Sequence, residues 1–273
     1  MMRSMFAAVS ALRNHQTRMD VIGNNIANVN TVAFKSSRVT FQDVFYQTLN
    51  GGSAPSDTRG GINPRQVGTG MTLGTIDTSF TQGNVQPTGI GTDLMIQGDG
   101  FFVVGNADGT EIYYTRAGVF GFDSDGNLIN KTNGLFVYDV NGNIINVPVD
   151  AQSFNIDSYG YVRYISADGE QTEAGQIAIA KFANPEGLVK VGENLFRYDT
   201  NAGPEAGGEG NYGGGAPGEL GRGTIVASAL EMSNVDLAKE FTDMIITQRG
   251  YQANARTITT CDEMLEELVN LKR

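Results

Sequence analysis

The chain has 273 residues, 40% of them hydrophobic and 18% charged, with a formal net charge of −11 and a single cysteine. That length is ample for a buried core, so failure to fold is excluded as a concern. The acidic balance argues against nucleic acid, which needs a basic footprint, and one cysteine excludes an internal disulfide, a zinc ribbon or a redox pair.

The 36 glycines exceed the usual share of about 7%. They lack collagen spacing and gather at turns and in two loose stretches. No run of 18 apolar residues and no apolar signal-peptide core of 7–15 residues occurs, so no membrane insertion is expected. The charge is unevenly placed. Residues 1–49 carry Arg3, Arg13, Arg18, Lys35 and Arg38 against Asp20 and Asp43, and are slightly basic. The C-terminal segment is slightly acidic and the middle holds most of the negative charge.

At the N-terminus, Met5, Val9, Leu12, Gln16, Met19, Gly23 and Ile26 recur at alternating spacings of four and three. That period predicts an amphipathic helix with coiled-coil character. Ile22 and Val29 widen the stripe, and the helix fades near Asn28. Residues 31–71 read as an extended linker region that includes the Gly-rich stretch Asn50–Gly61.

The middle, 72–232, reads as a mainly-β domain. Strand-like runs include Thr72–Phe80, Leu94–Gln97, Phe101–Val104, Tyr161–Ile165 and Gln176–Phe182. Turn signals separate them: Gly98-Asp99-Gly100, Asp108-Gly109, Asp125-Gly126, Asn133-Gly134, Asn141-Gly142 and Asp168-Gly169. Asn-Gly and Asp-Gly favour the turns that match strand twist, and short strands so spaced suggest a small barrel or sandwich. A second Gly-rich stretch, Gly203–Gly223, leads back toward the C-terminus.

Ser233 and Asp236 form an S-x-x-D helix start. Leu237, Phe241, Met244, Gln248, Tyr251, Ala255, Ile258, Asp262, Leu265 and Val269 then keep the four-three spacing. A helix over 233–270 would be roughly 57 Å long at 1.5 Å per residue. The expected fold is therefore α+β: long N- and C-terminal helices (1–30 and 233–273) pairing as a coiled coil, with a central mainly-β domain. The expected assembly seam is Met5, Val9, Leu12, Met19, Ile26, Leu237, Phe241, Met244, Tyr251, Ile258, Leu265 and Val269. Such a stripe also suits a plain domain core, but its length and its division between the two chain ends favour contact between chains.

The sequence offers little for catalysis. His15, the only histidine, lies inside the N-terminal helix pattern, where a surface helix residue is the simpler reading. A Cys-His site would need Cys261 from the opposite terminal helix. Asp123-Ser124-Asp125-Gly126-Asn127 resembles the start of a calcium loop but lacks a third ligand and the closing Glu, so a hairpin turn is the better reading. Gly98-Asp99-Gly100 lacks the following helix of a nucleotide fingerprint. No catalytic residue, metal site or cofactor is expected.

Several longer segments carry a family resemblance. Met19-Asp20-Val21-Ile22-Gly23-Asn24-Asn25-Ile26-Ala27-Asn28-Val29-Asn30-Thr31-Val32-Ala33-Phe34-Lys35 resembles the N-N-I-A-N-x-N-T-x-G-F-K signature of the bacterial flagellar hook and rod proteins, with Ala33 where Gly is usual. Its motif residues are Asn24, Asn25, Asn28, Asn30, Thr31 and Phe34. Ile96–Val104, with Gly98, Gly100, Phe101 and Phe102, is similar to the family's central part, as is Tyr114-Thr115-Arg116-Ala117-Gly118. Ser233-Asn234-Val235-Asp236-Leu237 and Gln248-Arg249-Gly250-Tyr251-Gln252-Ala253-Asn254 are similar to its C-terminal part.

The resemblance covers nearly the whole chain. It implies a structural subunit, not an enzyme, that polymerises with itself into a helical tube. It also implies neighbouring rod, hook-cap and hook–filament junction proteins as partners, export through the flagellar export apparatus without a cleaved leader, and terminal helices lining the tube with the β domain outside. The closing residues 262–273 and Gly60-Gly61-Ile62-Asn63-Pro64-Arg65-Gln66-Val67-Gly68 are similar to the hook type. The hook is therefore the expected assignment and the distal rod, whose proteins have about this length, the alternative. A secreted adhesin or tail-fibre-like β protein explains the strands but not the matched terminal heptads.

Overall fold

The computed structural model describes residues 2–55, 60–167, 169–203 and 214–271. Residues 56–59 of the first Gly-rich stretch, 204–213 of the second, and Asp168 of one turn signal lie outside the described residues, as do Lys272 and Arg273. The chain divides into two compact units. A helical unit takes Met1–Ala27, Ser37–Thr78 and Asp236–Arg273, and a β unit takes Asn28–Ser36 and Ser79–Val235.

The helical unit opens with α1 (Met2–Ala27). Strands β1 (Ser37–Asp43), β2 (Tyr46–Asn50), β3 (Arg65–Gly68) and β4 (Met71–Thr78) follow. β1 pairs antiparallel with β4, and β2 with β3. A further bridge joins Ser53 and Ile62. Residues 37–50 thus pair antiparallel with residues 65–78 in two successive two-stranded ladders, where the sequence reading expected an extended linker over 31–71. The end of α1 is tied to the start of the first ladder by Asn25. Its amide donates to the Ser37 carbonyl at 2.8 Å and accepts from the Ser37 N–H at 3.0 Å, as a strand partner would. Gly70, at φ 129°, lies so close to α1 that a Cβ there would stand 2.6 Å from Ser10 Oγ.

The long α2 (Leu237–Asn270) closes the unit. Asp236 is its N-cap, with the carboxylate accepting from the N–H groups of Ala238 and Lys239. This satisfies two of the helix's free donors and places negative charge at the positive end of the dipole. Ser233, three residues earlier, accepts from the Val235 N–H instead.

The β unit is built on β7 (Phe101–Gly105), reached through β5 (Val85–Pro87) and β6 (Leu94–Gln97) and followed by β8 (Ile112–Thr115). The sheet order is Val189–Gly192, Leu195–Arg197, β8, β7, Phe136–Val137, Leu128–Asn130 and Phe120–Phe122, with Ile179–Ala180 also pairing β7. Alternation along β7 feeds two cores. Phe102 and Val104 join one apolar cluster with Phe120, Leu128 and Ile177. Phe101 and Val103 join another with Tyr114, Phe182 and Phe196. A separate three-stranded meander spans Ser153–Ile156, Tyr161–Ile165 and Gln171–Gln176.

The expected pairing of long N- and C-terminal helices as a coiled coil is corrected by this arrangement. The N-terminal helix is the shorter, 26 residues against 34 in α2, and its other flank packs on the β ladder. The residues buried on α1 are Ala8, Ala11, Ile22 and Asn25, and on α2 Thr247 and Cys261. These are mostly small or polar. The large apolar residues of the expected stripe, Leu237, Phe241, Tyr251 and Val269, are exposed. On α1 the buried Ala8, Ala11, Ile22 and Asn25 each precede a stripe position, so the face buried within the chain is rotated by about 100° from the stripe.

Candidate assembly faces

In the β unit, the family-signature segments converge on one buried ionic knot. Lys35 Nζ donates to Glu231 Oε1 at 2.7 Å and to the Thr81 carbonyl at 2.7 Å, and both side chains of the ion pair are fully buried. Arg116 Nη1 reaches Glu231 Oε2 at 3.3 Å, and its Nη2 donates to the Gly98 carbonyl at 2.8 Å. The Gly83 N–H adds a further bond to the carboxylate at 2.8 Å. Burial lowers the Lys35 pKa, with the Glu231 carboxylate opposing that shift and the Arg116 guanidinium adding to it. Glu231 is thus satisfied by two cations and a backbone amide, the condition under which a buried charge is tolerated.

Beside the knot, Asn234 gathers the chain. Its Oδ1 accepts from the Ser36 N–H at 2.8 Å and its Nδ2 donates to the Ser79 carbonyl at 2.8 Å. The Ser79 N–H bonds the Ser36 carbonyl at 2.8 Å. Ser36, Ser79 and Asn234 lie at three of the points where the chain leaves the β unit, so one amide pins those departures together.

The signature residues are distributed around these ties. Thr31 bonds Asn28 through both backbone and side chain, and Asn30 and Asn24 are exposed. Phe34 lies beneath Lys190 Nζ, 5.3 Å from the ring centroid, while that ammonium also donates to the Lys35 carbonyl. Ala33 is buried at φ 57°. This is the left-handed region that favours glycine, and its N–H donates to the Glu231 carbonyl at 2.8 Å. Gly100 is buried against Ile179, leaving no room for a Cβ. Gly98 is exposed, while Phe101 and Phe102 enter the two cores described above. The sequence reading missed Glu231 and the roles of Lys35 and Arg116. A charge within an otherwise apolar stretch, Ala229-Leu230-Glu231, was the available signal.

In the helical unit, α1 and α2 run antiparallel. Ser4 Oγ meets Cys261 Sγ at 3.4 Å, Arg18 pairs with Asp243 at 3.0 Å, and Gly250 lies against the His15 ring. His15 also meets Phe41 edge-on at 5.6 Å, and its buried Nδ1 has no hydrogen-bond partner. Burial, and then the charge of Arg18, lower its pKa. The expected seam residues divide between two environments. Met5, Val9, Leu12, Met19 and Ile26 are partly buried on α1, as are Met244, Ile258 and Leu265 on α2. Leu237, Phe241, Tyr251 and Val269 face solvent together with Ile245 and Leu268. Phe45, 84% exposed, and Ile62, 63% exposed, add apolar surface on the ladder. Burying one such side chain is worth roughly 1.5–3 kcal/mol, and these residues together leave a sizeable apolar surface uncovered in the single chain.

His15 and Cys261 are separated along the helices, each against other residues. Asp123 to Asn127 closes a hairpin, with the Gly126 N–H donating to the Asp123 carbonyl and the Asp123 N–H to that of Asn127. Among the described residues, no His, Cys, Asp or Glu group is arranged to hold a metal, and no helix is long and apolar enough to cross a membrane.

Comparison with known proteins gives three family matches in chain order. Residues 5–35 match the family described as flagella basal body rod protein. Residues 95–164 match the D1 domain of flagellar hook protein FlgE/F/G, and residues 226–271 the C-terminal region of flagellar basal body rod FlgEFG protein. The chain is similar to the flagellar basal-body rod protein FlgG of Bacillus subtilis, with 50% identity over 273 residues and all of both chains covered. It is 39% identical over 276 residues to FlgG of Borreliella burgdorferi, again with full coverage of both. The flagellar hook protein FlgE of the same organism is 30% identical, over an alignment of 450 positions covering both chains fully.

Proposed function

Since this chain belongs to the FlgE/F/G family of flagellar hook and rod proteins, a family of structural proteins and not enzymes, we propose that it is a rod subunit of the flagellar basal body, of the distal-rod type. The observation that carries the choice is the comparison within one organism. The B. burgdorferi rod protein aligns over 276 positions, but its hook protein needs 450 to cover a 273-residue chain. Large extra segments in the hook protein have no counterpart here. The hook assignment expected from the closing residues and from Gly60–Gly68 therefore gives way to its alternative.

In this reading the chain polymerises with itself and with neighbouring axial proteins, after passage through the flagellar export apparatus. The exposed apolar faces of α2 and of the ladder are what successive copies cover. Such contacts join two different patches and so generate an open helix and not a closed ring. A deletion strain tests the assignment. Loss of a rod subunit removes the hook as well, and re-expression of this chain restores both by electron microscopy of isolated basal bodies. Rods that persist to full length in the deletion strain, with only hooks missing, would return the assignment to the hook.

A further inference from the structure

A cleft of about 640 Å3 opens on the β unit between the turn that follows Phe120–Phe122 and the start of the three-stranded meander. Its volume lies in the range of ligand clefts. The walls are apolar: Phe122 and Phe154 meet edge-on at 4.9 Å, with Val147, Pro148, Val149 and Ala151 around them. Val149 is 74% exposed and Phe154 38%, so two large apolar side chains stand in water at the mouth.

The rim carries charge of one sign. Asp123 lines the cleft, and Asp125 and Asp150 are exposed next to lining residues. Among the described residues, none that lines it is basic. The cations of the flanking segments are directed elsewhere. Arg116 is held in the buried knot. Lys131 packs on Gly121, whose neighbours Phe120 and Phe122 face the other side of the strand. Arg163 lies over the Tyr161 ring, and because Phe154 stands opposite Tyr164, Arg163 is on the other face of the meander.

The strand Ser153–Ile156 is also an edge strand, paired with Tyr161–Ile165 on one side only among the described residues. Phe154 is therefore part of a cleft wall and of an open sheet edge at once. An open edge offers backbone donors and acceptors to an extended chain, and pockets beside it select that chain's side chains.

We propose that this site binds an extended segment of a second protein, which pairs along Ser153–Ile156, places an apolar or aromatic side chain in the cleft and sets flanking Lys or Arg residues toward Asp123 and Asp150. The cleft supplies apolar burial, and the carboxylates select the sign of the partner and hasten encounter. The inference stands on the β unit alone and does not depend on the rod assignment.

The chain contains no tryptophan, so a tryptophan peptide reports binding to the full chain directly. The probe acetyl-Lys-Thr-Trp-Thr-Lys-amide should show saturable fluorescence anisotropy with a Kd below about 1 mM. The control acetyl-Glu-Thr-Trp-Thr-Glu-amide should bind at least about tenfold more weakly. Phe154→Ala should weaken the lysine peptide about tenfold. Asp123→Asn with Asp150→Asn should weaken it about fivefold and flatten its salt dependence; both aspartates are exposed, so this variant reads binding with the fold intact. Arg163→Ala, on the opposite face, should leave the Kd within about twofold. The proposal is overturned by no saturable binding up to about 5 mM, by equal binding of the two peptides, or by an unchanged Kd in either the Phe154 or the paired aspartate variant. Self-association of the chain that Phe154→Ala abolishes would give the cleft to a second copy and overturn it as well.

Discussion

Lys35 and Glu231 stand 196 positions apart in the sequence and meet at 2.7 Å with neither side chain exposed to solvent. The pair joins the signature segment at the start of the β unit to the strand Ala229–Glu231 near its end. Arg116, from the turn after β8, completes the set.

Removing the carboxylate should be severe. Glu231→Gln leaves the Lys35 and Arg116 cations buried without their counter-charge, an arrangement that costs about 3–5 kcal/mol. Urea denaturation followed by a probe in the β unit should show a midpoint shift of that size. A change within about 0.5 kcal/mol would mean that solvent reaches the knot.

Ala33 offers a stabilising change. At φ 57° its Cβ is strained, and Ala33→Gly should raise stability by up to about 1 kcal/mol despite the greater entropy of glycine in the unfolded chain. Ala33→Val, β-branched in a region such residues avoid, should lose about 1–3 kcal/mol. Thermal melts of the three chains check both signs together.

Two titrating groups in the helical unit act in opposite directions. Burial lowers the His15 pKa, so the folded chain prefers the neutral ring, and stability is lost as pH falls below the unfolded value near 6.5. His15→Gln should flatten that loss. Burial raises the Glu240 pKa, with Asp243 adding to the shift and Asn25, Lys239 and Arg18 opposing it. Its favourable contribution is complete below the unfolded value near 4.3 and disappears as pH rises through the folded one. Glu240→Gln should therefore stabilise the chain at pH 7 relative to wild type and do so less at pH 4. Denaturation midpoints across that range, compared variant by variant, decide both.

The two kinds of seam residue should separate in mutagenesis. Phe241 is 50% exposed, so Phe241→Glu should leave the melting of the isolated chain within about 0.5 kcal/mol of wild type while blocking polymerisation. Thr247 is fully buried and bonds the Asp243 carbonyl at 2.7 Å. Thr247→Glu should destabilise the isolated chain by several kcal/mol by burying an unpaired charge. Normal rods from Phe241→Glu would show that this face is not covered on assembly.

Much of the fold is legible in sequence because it is local. The turn signals fall where the chain turns, since Asn-Gly and Asp-Gly meet a backbone demand set by a few neighbouring residues: Gly126, Gly134 and Gly142 all sit at positive φ. The two helices are likewise announced by their period, and family membership by motifs in order. Which face of each helix turns inward is not. Apolar periodicity marks an apolar side without saying what covers it, and on α2 much of that side, including Leu237, Phe241 and Val269, is exposed in the single chain. The inward face is chosen by what permits close approach, here Ala8, Ala11, Thr247 and Cys261, residues with little hydrophobic signal. The ladders over 37–78 were hidden by their glycines. The knot of Lys35, Arg116 and Glu231 is out of reach of any window along the chain. Three charges can be buried together only where the fold supplies each with a partner, and those partners are decided by tertiary structure alone.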